Sequence, residues 1–157
     1  MIPTIRLTHI LALALTITLA APSLALAAGS NDNSSSAAAA PSGMDAAQAA
    51  VDAGQYPEAL KMLAAVVKQE PRNADALNLM GYSNRKMNRL SEAARYYDAA
   101  LKVNPKHIGA LEYQGEMFVE TGDYDRARQN LKLIGAICGA CEEAIDLRAA
   151  LDAKGQS

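Results

Sequence analysis

The sequence predicts an all-α fold, an α-solenoid of three stacked helical hairpins closed by one further helix. Three observations carry that prediction. Gly54, Asn88 and Gly122 recur at steps of 34, Ala59, Ala93 and Ala127 do the same, and Pro71 and Pro105 stand 34 apart. Three residue classes sharing one period mark a stacked-repeat architecture, because a single hairpin of that length cannot bury its apolar face alone. The apolar half of the chain is mostly alanine and leucine, with 4% aromatics and no Trp. Small apolar side chains suit closely packed helices better than a sheet.

Taken in order, residues 1–27 form a short start carrying Arg6, an apolar run Ile10–Ala21, and Ala25-Leu26-Ala27. This is the pattern of a secretory signal peptide cleaved after Ala27. As a helix the run would cover about 18 Å, short of the roughly 30 Å of a hydrocarbon core, and Pro22 and Ser23 would break any extension. No cysteine follows it, which disfavours a lipid anchor. The expectation is an exported chain, periplasmic or secreted, with no membrane insertion after cleavage. Residues 28–43, AGSNDNSSSAAAAPSG, are small, polar and aperiodic, and read as a flexible tether.

Three hairpins then follow at about 44–73, 74–107 and 108–141. The central one, from Ala74 to Pro105, is the clearest. Gly81 and Gly115, with Ala47 in the first copy, fall inside helices, where glycine costs about 1 kcal/mol relative to alanine. The expectation is that each lets a neighbouring helix approach, with Ala59, Ala93 and Ala127 on the facing helix. Gly54, Asn88 and Gly122 end the first helix of each pair, where glycine and asparagine best accept a left-handed backbone. Pro57 suits a first turn. Ser91 and Asp123 are expected N-caps, and Ser42 with Asp45 a capping box. Pro71 and Pro105 end second helices. Beyond the hairpins, residues 142–157 supply a capping helix and tail. The stretch Cys141–Ala153 places Ala144, Ile145, Leu147, Arg148 and Leu151 on one stripe that would cover the last repeat.

These residues resemble the tetratricopeptide repeat family over about residues 44–141. In the central copy the resemblance rests on Leu77, Met80-Gly81, Asn88, Leu90, Ala93, Tyr97, Ala100 and Pro105. In the third it rests on Leu111, Gly115, Phe118, Gly122, Tyr124 and Ala127, and in the first on Gly54, Tyr56, Ala59, Leu63 and Pro71. Asn84 departs from the pattern, standing where the family has an aromatic. The resemblance implies a non-catalytic scaffold or adaptor that binds a protein or peptide in a concave groove lined by the first helix of each pair. Carried over by position, that face takes Asp75, Asn78, Tyr82, Arg85 and Lys86 from the central copy. It takes Gly109, Glu112, Glu116, Val119 and Glu120 from the third, and Met44, Gln48, Val51 and Asp52 from the first. Arg85 and Lys86 either meet a ligand or pair with Glu116 and Glu120. The lysine and asparagine clamp by which some members hold acidic C-terminal peptides is missing, since Gly109 and Tyr113 occupy the matching positions. A mixed-charge or extended peptide is the expected occupant.

Cys138 and Cys141 are the whole thiol inventory. In an exported chain they should form a disulfide that clips the last helix, worth about 2 kcal/mol for so small a loop. A thiol–disulfide redox role for this pair is the functional alternative, although no βαβ pattern surrounds it. Self-association through an exposed repeat edge is another.

The remaining classes find little support. Glu142 stands where haem attachment requires histidine, and His107 is the only histidine after the leader. No metal, cofactor or catalytic set is therefore expected, and an enzyme is not. The formal charge of −2 becomes −3 once the leader with Arg6 is removed. Nucleic acid, which requires a concentrated basic surface, is disfavoured.

Overall fold

In the computed structural model, residues 42–156 are described. The leader at 1–27 and the tether up to residue 41 lie outside them. The last two tether residues belong instead to the first helix. Ser42 caps it and Gly43 opens it, with the Ser42–Asp45 capping box formed in both directions.

Seven helices follow among the described residues. They are α1 (Gly43–Asp52), α2 (Tyr56–Gln69), α3 (Ala74–Lys86), α4 (Leu90–Val103), α5 (Ile108–Thr121), α6 (Tyr124–Cys138) and α7 (Glu142–Asp152). The punctuation is largely as expected. Gly54, Asn88 and Gly122 all take positive φ, at 71°, 58° and 80°. Asn88 is the only non-glycine among the described residues to do so. Pro57 lies in the first turn of α2, and Asp123 caps α6 by accepting from the Arg126 N–H. Ser91 does not cap: α4 starts one residue earlier, at Leu90, and its N-cap Arg89 makes no side-chain cap. The caps that the sequence reading passed over are Asn73 and His107, which accept from the N–H groups of Ala76 and Ala110. They too stand 34 apart, so the second and third hairpins are capped at one register position, whereas Cys141 at the next makes no side-chain cap.

The layering follows from which helices touch. α1 meets α3, α3 meets α5 and α5 meets α7, whereas no contact joins α2 to α4 or α4 to α6. Two layers of which only one is in lateral contact must bend toward that layer. α1, α3, α5 and α7 therefore line the inside of the curve. Burial agrees: nine of the 13 residues of α3 are buried, against three of the 14 in α4. An inner helix is enclosed by neighbours on several sides, while an outer helix hides a single stripe. Ala59, Ala93 and Ala127 sit on that stripe and all have zero exposure, as one structural role repeated three times requires.

The helical glycines face side chains rather than those alanines. A Cβ on Gly81 would lie 2.5 Å from Tyr97 Cε1, and one on Gly115 would lie 2.5 Å from Leu147 Cδ2. Tyr97 comes from the second helix of the same hairpin, but Leu147 comes from α7. The closing helix is thus keyed into α5 by a leucine seated where a side chain is missing.

α7 buries Ala144, Leu147 and Leu151, but Ile145 is 56% exposed, against the expectation that it shared the apolar stripe. It occupies the register position of Leu77 and Leu111, both buried. In the complete hairpins a second helix follows and packs on the first. No such helix follows α7 among the described residues, and its first-helix position stays bare.

Candidate functional site

On the inner face, α1, α3, α5 and the start of α7 enclose a groove of about 500 Å³. Gln48, Asn78, Tyr82 and Glu112, all expected on this face, line it together. Asp52 and Val51 from α1 join them, as does Gly109 from α5. Asp75 lies beside a smaller adjoining hollow of about 300 Å³ that Gln48 and Asn78 share. There it accepts a 2.9 Å hydrogen bond from the Nε2–H of His107, whose Nδ1 caps α5. A hollow of about 450 Å³ between α1 and α2 is lined mainly by apolar residues such as Met44, Met62 and Val66.

Arg85, Glu116 and Glu120 do not line the groove, because they are bound to one another. The Arg85 guanidinium donates from Nη1 to Glu120 at 2.7 Å and from Nη2 to Glu116. Its side chain is only 7% exposed, which makes this a largely desolvated pair linking α3 to α5. Of the two roles open to Arg85, the structural one is realised. Its plane also lies over the rings of Tyr82 and Tyr113, at 5.7 and 5.9 Å from their centres. Burial alone would lower the guanidinium's pKa, but Tyr97, Glu116 and Glu120 more than compensate and hold it above its ordinary value. Lys86 is exposed and forms no ion pair among the described residues; its ammonium stands 5.8 Å from the Tyr82 ring centre. Val119 is a core residue rather than a groove residue.

Four lining residues, Leu79, Tyr56, Tyr113 and Glu143, fall outside the face that the sequence predicts. Tyr113 packs against Tyr82 with ring centres 4.8 Å apart and planes tilted by 49°, and Tyr56 meets Tyr82 edge-on at 6.2 Å, so the three rings form a tilted column. Burial, then Glu112 and Tyr82, pushes the Tyr113 hydroxyl up to about 12. Glu143, from the closing helix, completes the lining. Tyr56 is a repeat residue and Tyr113 stands at a clamp position, but their common side becomes apparent only once the hairpins are stacked.

Two groove residues are unusual in their burial. Asn78 is 6% exposed and its Oδ1 has no hydrogen-bond partner. Glu112 is 7% exposed, and neither a hydrogen bond nor an ion pair reaches its carboxylate from the described residues. Burial, with Glu116, Asp146 and Glu143 adding repulsion, pushes Glu112 up to about 7. Polar groups are normally satisfied in a folded interior; Asn78 Oδ1 is one of four fully buried side-chain atoms without a partner among the described residues, with those of Ser83, Arg85 and Tyr97, and is the one that lines the groove.

A disulfide joins Cys138 and Cys141, with Cα atoms 5.7 Å apart, across the turn between α6 and α7. Among the described residues, no cluster of His, Cys, Asp or Glu could hold a metal ion, and no helix is long and apolar enough to cross a membrane.

None of the curated proteins compared with the chain matches it. A family model does match, that of the tetratricopeptide repeat, over residues 44–86 and again over 78–134. The two matched segments run through all three hairpins and through every groove helix except α7. With the repeat register, the paired helices and the curved inner layer already in place, the chain belongs to the tetratricopeptide repeat family.

Proposed function

We propose that the chain is a non-catalytic adaptor that binds an extended segment of another protein in the groove of its first helices, and that it works in the periplasm or cell envelope. Repeats of this family suggest a protein-interaction scaffold. The observation that carries the reading is the unsatisfied inner surface: Asn78 and Glu112, each more than nine-tenths buried, face a groove with no internal partner for either. The export signal read at residues 1–27 supports the compartment. The disulfide acts as a clip holding α7 against the stack, as its position between α6 and α7 supports.

The test is affinity capture from the cognate envelope fraction with the mature chain and with a Tyr82→Ala, Asn78→Ala variant of verified helicity. Loss of a specific captured protein in the variant supports the groove. Equal recovery of every captured protein by both chains removes it. Self-association is favoured over the remaining alternatives by one observation, the exposure of Leu133, Ile137 and Ile145 at 49%, 36% and 56% on the last two helices. Sedimentation showing a monomer at high concentration excludes it.

A further inference from the structure

Resting on that reading, we infer that the groove selects a basic segment, taking a lysine or arginine side chain of its partner between Glu112 and the tyrosine column. The first argument is the charge of the lining. Asp52, Glu112 and Glu143 contribute carboxylates, Asn78 an unpartnered amide oxygen, and no lining residue is Lys, Arg or His. Of the two cations beside the tyrosines, Arg85 is bound by Glu116 and Glu120, and the Lys86 ammonium stands 5.8 Å from the Tyr82 ring centre. Lys86 is outside the lining.

The second argument is the shape of that lining. Tyr82 and Tyr113, ring centres 4.8 Å apart, form an aromatic wall beside Glu112. Aromatic faces and a carboxylate together recognise an organic cation, the rings through their quadrupole and the carboxylate through a charge-assisted hydrogen bond. The Arg85 guanidinium already lies 5.7 and 5.9 Å from the centres of these two rings, and the Lys86 ammonium 5.8 Å from that of Tyr82, so the rings already attract cations from within the protein.

The third argument is the state of Glu112. The charged groups that face it are Glu116 on its own helix, Glu143 and Asp146 on α7, and Arg85 on α3. Three of the four repel its charge, and the fourth is neutralised elsewhere. An incoming ammonium or guanidinium is the counter-ion this carboxylate lacks. Occupancy would lower its pKa and release a proton near neutrality, so binding strengthens as pH rises.

The experiment titrates the mature chain with two acetylated, amidated peptides of one alanine-rich sequence. One carries lysines and the other glutamates at the same positions, and backbone amide shifts are followed. The expected result is perturbation at Asn78, Glu112 and Tyr113 by the lysine peptide alone. Binding should be on the order of tenfold tighter at about pH 8 than at about pH 5.5, with a similar loss in Glu112→Gln. That variant removes a buried charge without changing shape, so its fold is not at risk. Preference for the glutamate peptide, equal binding of the two, or no groove shift with either overturns the basic-segment inference. The adaptor reading survives those outcomes if capture still depends on Tyr82 and Asn78. It falls with the inference only if capture is independent of the groove.

Discussion

At the scale of single residues, the chain carries one carboxylate whose burial works against the fold. Glu112 is 7% exposed and its pKa is pushed up to about 7. A carboxyl group with a folded pKa above its unfolded value binds more protons in the native state. Stability is then greatest below about pH 4.5 as regards this group, and is lost as the pH rises toward 7. Glu112→Gln should therefore raise stability by about 2 kcal/mol near pH 8 and leave it unchanged near pH 4, as read by denaturant titration. An effect of the same size at both pH values would show that charge is not the cause. Retaining such a residue in a groove accords with selection for an occupant rather than for stability.

The helical glycines are a second residue-scale feature. Gly81 leaves room for the ring of Tyr97, which has zero exposure and no route outward. Gly81→Ala should destabilise by about 1–3 kcal/mol through overpacking, outweighing the roughly 1 kcal/mol that alanine contributes to helix propensity. The double change with Tyr97→Leu should recover part of the loss. A Gly81→Ala variant as stable as the parent would contradict the packing described.

At the scale of the elements, α7 is a first helix with no second helix after it among the described residues. Its Ala144 repeats Ala76 and Ala110, all three buried, and its Leu147 fills the space above Gly115. The disulfide between Cys138 and Cys141 fixes its entry point. Reduction should lower stability by about 2 kcal/mol and speed hydrogen exchange in α7 while leaving α1–α4 as protected as before. Uniform loosening along the whole stack would contradict a local clip.

The hairpins also illustrate what was readable in advance. Period, helix ends and left-handed turns are local and repeat from hairpin to hairpin, so the chain states them more than once, and the closing helix shows in its own apolar stripe. Long-range polar contacts are stated once. Asn130 donates to the Leu111 carbonyl and to Gln114, and Gln114 donates to Asp98, a chain joining three helices that no spacing announces. The repeat register gives the helix that carries Arg85, but its depth depends on Glu116 and Glu120 reaching across from α5. Likewise Ile145 is exposed because no described helix packs on its side of α7, which the pattern of the stripe does not announce.

At the scale of the whole molecule, curvature links packing to function. The inner helices touch one another and the outer helices do not, so whatever lines the inner side converges and whatever lines the outer side diverges. That is why Gln48, Asn78, Tyr82 and Glu112, spread over 65 residues of chain, share one hollow. The outer face presents separated charged side chains such as Lys61 and Arg95, paired only within their own helices. The measurement that tests this most directly is photocrosslinking in the native envelope, with the reactive side chain placed at Tyr82 on the inner face or at Arg95 on the outer. Binding on the inner face gives a discrete protein adduct from position 82 and none from position 95. An adduct from position 95 alone would place the working surface on the other side of the stack.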